Sequence, residues 1–309
     1  MNDYILQTIG LTKKYANMVA LDHVDITIQK GRIYGFIGQN GAGKTTFMRL
    51  VSGLSLPDSG DIILFGKTQK KELEKQRKRM GCMIEYPALY PYMTARDNLE
   101  AMRIAQGIPN KNVVEDCLKI VGLHDTGKKK VQNFSLGMKQ RLGIAATLLG
   151  EPEFLMLDEP TNGLDPVSMV EIRELLKKLA YEKQLTILVS SHILSELYQL
   201  ATNYIFLHHG KIIKEISKEQ LDESCKKHIF ILADDVSRAA MVLERVLNTK
   251  NYKVMPDQSI QLYDYIDDMQ KVIFALNERK LSIKNIGLAG DNLEDYFINT
   301  IGGNGKCLI

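Results

Sequence analysis

Gly38-Gln39-Asn40-Gly41-Ala42-Gly43-Lys44-Thr45-Thr46 fits the phosphate-binding pattern G-x-x-x-x-G-K-[ST] and lies where that pattern must lie. Before it, Arg32-Ile33-Tyr34-Gly35-Phe36-Ile37 is mostly apolar and β-prone; after it, Phe47-Met48-Arg49-Leu50-Val51 carries apolar residues at helical spacing. Strand, loop and helix follow in order, which sets aside a glycine-rich turn with a chance lysine. The glycines let successive backbone N–H groups turn inward around an anion, and the helix aims its positive end at the same point. Lys44 reads as a mobile charge for the β and γ phosphates, and the Thr45 hydroxyl as a hard oxygen ligand suited to Mg²⁺.

A chain of 309 residues predicts one large domain and a smaller one. With 45% hydrophobic and 25% charged residues it has the composition of an ordinary globular protein, and a net charge of +3 is too small to argue for nucleic acid. The basic clusters at Lys67 to Arg79 and Lys128-Lys129-Lys130 read as solvated helix faces or loops. Met1-Asn2-Asp3-Tyr4 lacks the basic start of a secretory signal. The longest apolar runs, such as Ile144 to Leu149 and Phe154 to Leu157, fall far short of the roughly 18 residues of a spanning helix, so any membrane role is expected to come through a partner. Cys82, Cys117, Cys225 and Cys307 are scattered without a C-x-x-C pair, which suits a reducing compartment, and Cys307 sits one place short of the prenylation register.

Upstream of the phosphate loop, residues 4–9 and 24–28 read as strands, the second alternating Val24, Ile26 and Ile28 against Asp25 and Thr27. Lys13-Lys14-Tyr15-Ala16 between them reads as a loop. Tyr15 there has two readings, stacking on a base or packing on the domain rim. Downstream come the turn Pro57-Asp58-Ser59-Gly60, a strand at Ile62 to Phe65, and a strand at Met80 to Ile84 ending on Glu85. From about residue 87 to 150 the pattern is helical, with Thr94-Ala95-Arg96-Asp97 as a capping box, and predicts a helical subdomain inserted in an α/β core.

Ser135, in Asn133-Phe134-Ser135-Leu136-Gly137-Met138, stands where a helix cap belongs; a plain cap and a second anion site are both open. Phe154-Leu155-Met156-Leu157-Asp158-Glu159 reads as a buried parallel strand whose two carboxylates packing does not explain. Asp158 suits Mg²⁺, and Glu159 can take a proton from an attacking water. Asp165 caps a helix predicted from Val167 to Ala180. The strand Thr186 to Ser190 then ends near His192, which reads either as a phosphate contact or as a rim histidine. A hairpin of Tyr204 to Leu207 with Ile212 to Ile216 closes residues 1–217. Residues 218–309 form a separate β-α-β-β-α-β pattern of ferredoxin-like order, with a last helix at Leu293 to Phe297 and no catalytic cluster.

With these pieces in order, residues 1–217 resemble the ATP-binding subunit of an ABC transporter, most closely the bacitracin-resistance and lantibiotic-protection exporter branch. The Walker A match is Gly38 to Thr45, the Walker B match Phe154 to Glu159, the D-loop match Asn162 to Asp165, and the switch histidine His192. The resemblance implies nucleotide contacts at Tyr15, Gly38, Asn40, Gly41, Ala42, Gly43, Lys44, Thr45 and Thr46. It implies catalysis by Glu159, His192 and Lys44, and Mg²⁺ at Thr45, Asp158 and Glu85.

Two departures stand out. The LSGGQ signature reads Phe134-Ser135-Leu136-Gly137-Met138, keeping the serine and second glycine, and the Q-loop glutamine is replaced by Glu85, a feature of that branch. A carboxylate there should tighten metal contact and repel phosphate. The resemblance further implies a head-to-tail dimer in which Ser135 and Gly137 of one copy complete the site on Lys44 of the other, transmembrane permease partners, a place on the cytoplasmic face of the membrane, and no nucleic acid. A soluble relative acting on ribosomes or DNA would be expected to carry two cassettes, a coiled-coil insertion or zinc cysteines. A non-hydrolysing sensor would have lost Glu159.

Overall fold

Three apolar runs of the sequence become the inner strands of one sheet. In this computed structural model, which describes residues 3–301 apart from 17, 280, 291 and 292, the chain divides into unit 1, Met1–Lys218, and unit 2, Glu219–Ile309. Unit 1 begins with β1 (Tyr4–Tyr15), β2 (Met18–Gln29), β3 (Ile33–Ile37), α1 (Lys44–Ser52), β4 (Ser59–Leu64), α2 (Lys70–Arg77) and β5 (Met80–Met83). It continues through α3 (Ala95–Ala105), α4 (Asn112–Ile120), α5 (Leu136–Leu148), β6 (Phe154–Asp158), α6 (Pro166–Lys183), β7 (Thr186–Ser191), α7 (Leu194–Tyr198), β8 (Asn203–His208) and β9 (Lys211–Ser217).

The main sheet runs β5-β6-β7-β3-β8-β9, with only β9 antiparallel to its neighbour. Every residue of β3, β6 and β7 is buried, as strands covered on both faces must be. A second, antiparallel sheet, β2-β1-β4, packs over α1. Phe47, Met48, Leu50 and Val51 of α1 are fully buried in the shared core, where Phe47 meets Phe36 of β3 edge-on at 5.1 Å between ring centroids. This apolar clamp fixes α1, and with it the start of the helix behind the phosphate loop.

The first hairpin departs from the sequence reading. Lys13, Lys14 and Tyr15 are strand rather than loop, because β1 runs on to Tyr15 against β2. Irregular register there breaks the apolar alternation, and buried Thr8 offers its hydroxyl to the Val24 carbonyl instead (2.9 Å). The cluster from Lys67 to Arg79 is largely α2, and its arginines do more than meet solvent. Arg77 donates to the Val51 carbonyl (3.0 Å), and Arg79 lies 3.7 Å over the Phe65 ring and 2.6 Å from Glu153.

The helical segment forms as its caps direct. Thr94 and Asp97 make a reciprocal capping box on α3. Gly143 of α5 touches the loop after β5 so closely that a Cβ would lie 2.6 Å from Pro87 Cβ and 2.7 Å from Met83 Sδ. Among helix lengths, α6 exceeds its predicted end and reaches Lys183.

After α8 (Lys218–Cys225), unit 2 holds β10 (His228–Ala233), α9 (Val236–Arg245), β11 (Tyr252–Val254), β12 (Ile260–Leu262), α10 (Met269–Glu278), β13 (Ile283–Ala289) and α11 (Leu293–Ile301). Its sheet is antiparallel with β10 and β12 central, β13 beside β10 and β11 beside β12, the order of a split β-α-β unit. Ile229, Ile231, Leu243, Leu262, Val272 and Leu276 give it a core of its own. Cys307 lies outside the described residues.

Candidate functional site

β3 delivers the chain at Ile37 into the phosphate loop, and the tight turn back into α1 depends on Gly43. Its φ is 112°, and a Cβ there would lie 2.6 Å from the Ala20 carbonyl oxygen, so only glycine closes the loop against β2. No side chain caps α1 at Gly43, which leaves the helix's first N–H groups directed at the loop interior. Lys44 has partners within the loop and across the cleft. Only 5% exposed, it donates to the Gly38 carbonyl (2.6 Å) and the Gln39 carbonyl (3.3 Å) and lies 3.2 Å from Glu159 Oε1. Burial beside α1 is what anchors it.

The opposing wall comes from β6 and β7, paired so that Asp158 sits across from Ser190. Asp158 is buried and accepts from the Thr45 hydroxyl (2.6 Å) and the Ser190 hydroxyl (2.5 Å). Ser190 Oγ in turn accepts the Glu159 N–H (2.9 Å). Glu159 then leaves the strand with a left-handed φ of 46°, which turns its carboxylate toward Lys44 and toward His192, whose Nδ1 is 2.8 Å from Oε2. Thr45 and Asp158 together present adjacent hydroxyl and carboxylate oxygens, a donor set that suits a hard cation such as Mg²⁺. Among the described residues no three His, Cys, Asp or Glu side chains form a metal cage, and a Mg²⁺ held partly by substrate phosphates needs none.

These walls enclose a cleft of about 440 Å³, of small-molecule size. Tyr15 and Met18 of the first hairpin border it, as do Glu85 and Tyr86 after β5 and Asn40, Gly41, Gly43, Lys44, Thr45 and Thr46 of the loop and α1. Glu85 follows β5 with a φ of 64° and is paired with Arg49 of α1, Nη2 to Oε1 2.5 Å. Gly38 and Ala42 support the loop from beneath: the first through its carbonyl to Lys44, the second through its carbonyl to the Gly210 N–H (2.9 Å).

Ser135, Leu136, Gly137, Met138 and Asp165 do not border this cleft. Ser135 caps α5 by accepting the Met138 N–H (3.2 Å), and Leu136 is 42% exposed. Gly137 is buried against Ser168, whose hydroxyl donates to Asp165 (2.7 Å), so the starts of α5 and α6 are tied together.

Three residues of the site escape a reading of the sequence. Arg49 is one turn beyond Thr45 on α1, a spacing from which it could have been found. Ser190 is placed by strand register, and Gln140 by burial. Only 2% exposed, Gln140 is among the residues lining the cleft, and its buried Oε1 has no hydrogen-bond partner. A larger groove of about 960 Å³ lies on the far side of the Glu85 loop, between β5, α3 and α5, with Leu54 and Tyr86 strongly exposed at its margin.

A family model described as ABC transporter matches residues 21–162. The bacitracin transport ATP-binding protein BcrA of Bacillus licheniformis is 42% identical over 299 residues, 97% of this chain and 98% of that protein. The lantibiotic transport ATP-binding protein SrtF of Streptococcus pyogenes is 42% identical over 211 residues, 68% of this chain and 90% of its own length. Among solved structures, a dimeric ATP-binding cassette in a post-hydrolysis state with ADP and Pi superposes with a TM-score of 0.62 at 26% identity, covering 69% of this chain and 98% of that one. The phosphate loop, the paired carboxylates at the end of β6 and full-length similarity agree, and this chain belongs to the ATP-binding, ATP-hydrolysing subunits of ABC transporters.

Proposed function

We propose that the chain energises export of a peptide antibiotic of the bacitracin type, as one of two ATP-binding subunits beneath membrane-spanning permease subunits on the cytoplasmic face. The observation that carries this is the BcrA match over 299 residues, a span that needs unit 2 as well as unit 1, whereas the 211 residues matched in SrtF do not. No helix among the described residues is long and apolar enough to cross a membrane, which fits a subunit that reaches the bilayer through partners.

In this reading the adenine stacks on Tyr15, and the phosphates lie on the N–H groups of Gly41 to Thr46. Lys44 neutralises the charge that develops on the transferred phosphoryl group. Thr45, Asp158 and Glu85 would hold Mg²⁺, which would supply charge neutralisation to the phosphates. Glu159 orients the attacking water and takes its proton; its bent backbone and the Ser190 contact fix the carboxylate, and His192 holds its other oxygen. Gln140, also on the cleft wall, carries a buried side-chain oxygen with no protein partner. Ser135, exposed at the start of α5, serves the site of a second copy, and Asp165 stands beside it at that interface. The groove behind Glu85 takes the permease.

Two experiments bear on this. Deleting the gene should lower the bacitracin concentration that stops growth, and the Glu159→Gln chain should fail to restore it; unchanged sensitivity would sink the cargo assignment. The chain should also co-purify from membranes with hydrophobic companion subunits. Sedimentation with ribosomes instead would favour the soluble reading.

A further inference from the structure

Arg49 and Glu85 meet at the border between the two cavities of unit 1. The Glu85 loop leaves β5 in a left-handed conformation and separates the nucleotide cleft, which Glu85 lines, from the larger groove, which Ile84, Tyr86 and Pro87 line. Arg49 approaches from α1, one helical turn beyond Thr45, so one face of α1 carries the hydroxyl bound to Asp158 and then the guanidinium bound to Glu85. Both members of the ion pair are about half exposed, 42% and 54%, so water screens the pair and its hold is weak.

We infer, building on the metal-side placement of Glu85 proposed above, that Arg49 is a positioning residue that holds the Glu85 carboxylate off the metal until a divalent cation competes for it. A divalent cation bound to the same carboxylate would lie within a few ångströms of the guanidinium, and the repulsion between the two cations makes each weaken the other's hold on Glu85. Resting on Arg49, it leaves Thr45 and Asp158 as the principal protein oxygens at the metal position. Drawn to the metal, it releases Arg49 and carries the loop with it, including Tyr86 and Pro87 at the margin of the groove. A glutamine at position 85 would make a neutral, weaker contact to Arg49 and would lose most of this competition. The acidic residue at this position and the arginine on α1 thus form one device.

The test is a double-mutant cycle on metal affinity, read by electron paramagnetic resonance titration of Mn²⁺ into the full chain with a non-hydrolysable ATP analogue. Arg49→Gln is expected to tighten Mn²⁺ binding about two- to fivefold, the range open to an exposed pair. Removing the arginine's charge also reduces plain repulsion of the cation, and that part is common to both backgrounds. In Glu85→Gln the same Arg49 substitution should therefore give a clearly smaller shift, and Arg49→Lys alone should stay near the parent. Equal shifts in the two backgrounds, no shift, or weaker binding in Arg49→Gln would each overturn the inference. Neither cargo nor permease enters the measurement, so its failure leaves the export reading standing, and failure of the export assays leaves this result standing.

Discussion

Lys44 and Glu159 face each other across the cleft, Nζ 3.2 Å from Oε1, so the proposed phosphate-binding cation and the proposed base are partners of one another. Glu159→Gln removes the charge from this contact while the carbonyls of Gly38 and Gln39 still hold Lys44. ATP binding is expected to survive, and turnover to fall by roughly 100- to 10,000-fold, the usual contribution of a positioned base. Gel filtration with ATP should show a trapped dimer. Full ATPase activity in that variant would remove Glu159 from its role.

Ser190 ties the Asp158 carboxylate to the backbone of Glu159, donating to the first and accepting from the second. In Ser190→Ala a buried carboxylate oxygen loses its donor and a backbone N–H its acceptor, an expected loss of about 1–3 kcal/mol in stability. Thermal unfolding should register the loss, and turnover should slow as the Glu159 backbone loosens. An unchanged Tm with an unchanged rate would show the bridge to be dispensable.

Asp97 sets a pH-dependent share of the stability of unit 1. The Thr94 hydroxyl, then the Thr94 backbone N–H, hold its carboxyl below the usual 3.8. A depressed folded-state value means the stabilisation is fully present above 3.8 and is lost as pH falls through the lowered value. Asp97→Asn should therefore be less stable than the parent in urea at neutral pH, and the gap should close as the pH is taken well below 3.8. Thr94→Ala, which removes the other half of the box, should cost about 1 kcal/mol at neutral pH.

Burial pushes the Cys82 thiol up to about 12 and the Cys117 thiol up to about 11. Both stay protonated at neutral pH, and a thiol reacts slowly. Iodoacetamide at pH 8 should leave both unmodified in the folded chain and alkylate both in guanidinium, as peptide mass mapping would reveal. Labelling of Cys82 at the rate of a free thiol would mean that its strand opens.

What the sequence makes legible is whatever depends on short spacing. The phosphate loop, the carboxylates ending β6, the capping box at Thr94 and the cap at Asp165 are each set within a few residues, and the structure has them where the spacing puts them. Tyr15 is harder to read, because an irregular strand with buried Thr8 and Thr12 does not alternate cleanly; it borders the cleft. Ser190 and Gln140 were out of reach, since the first depends on pairing with a strand more than thirty residues away and the second on what covers it. The anchoring of Lys44 was hidden too. A motif names the residue but not its resting partners.

Gly143 has a mechanical meaning. α5 and Pro87 meet with no room for a methyl group, so the absence of a side chain at Gly143 sets how closely the helix approaches the Glu85 loop. Ser135 lies eight residues back along the same rigid rod, about 12 Å at the helical rise. The spacing between the Glu85 loop and the exposed cap at Ser135 is therefore fixed by how closely α5 seats on Pro87, and an alanine at position 143 would have to displace Pro87 or Met83 and reset that spacing.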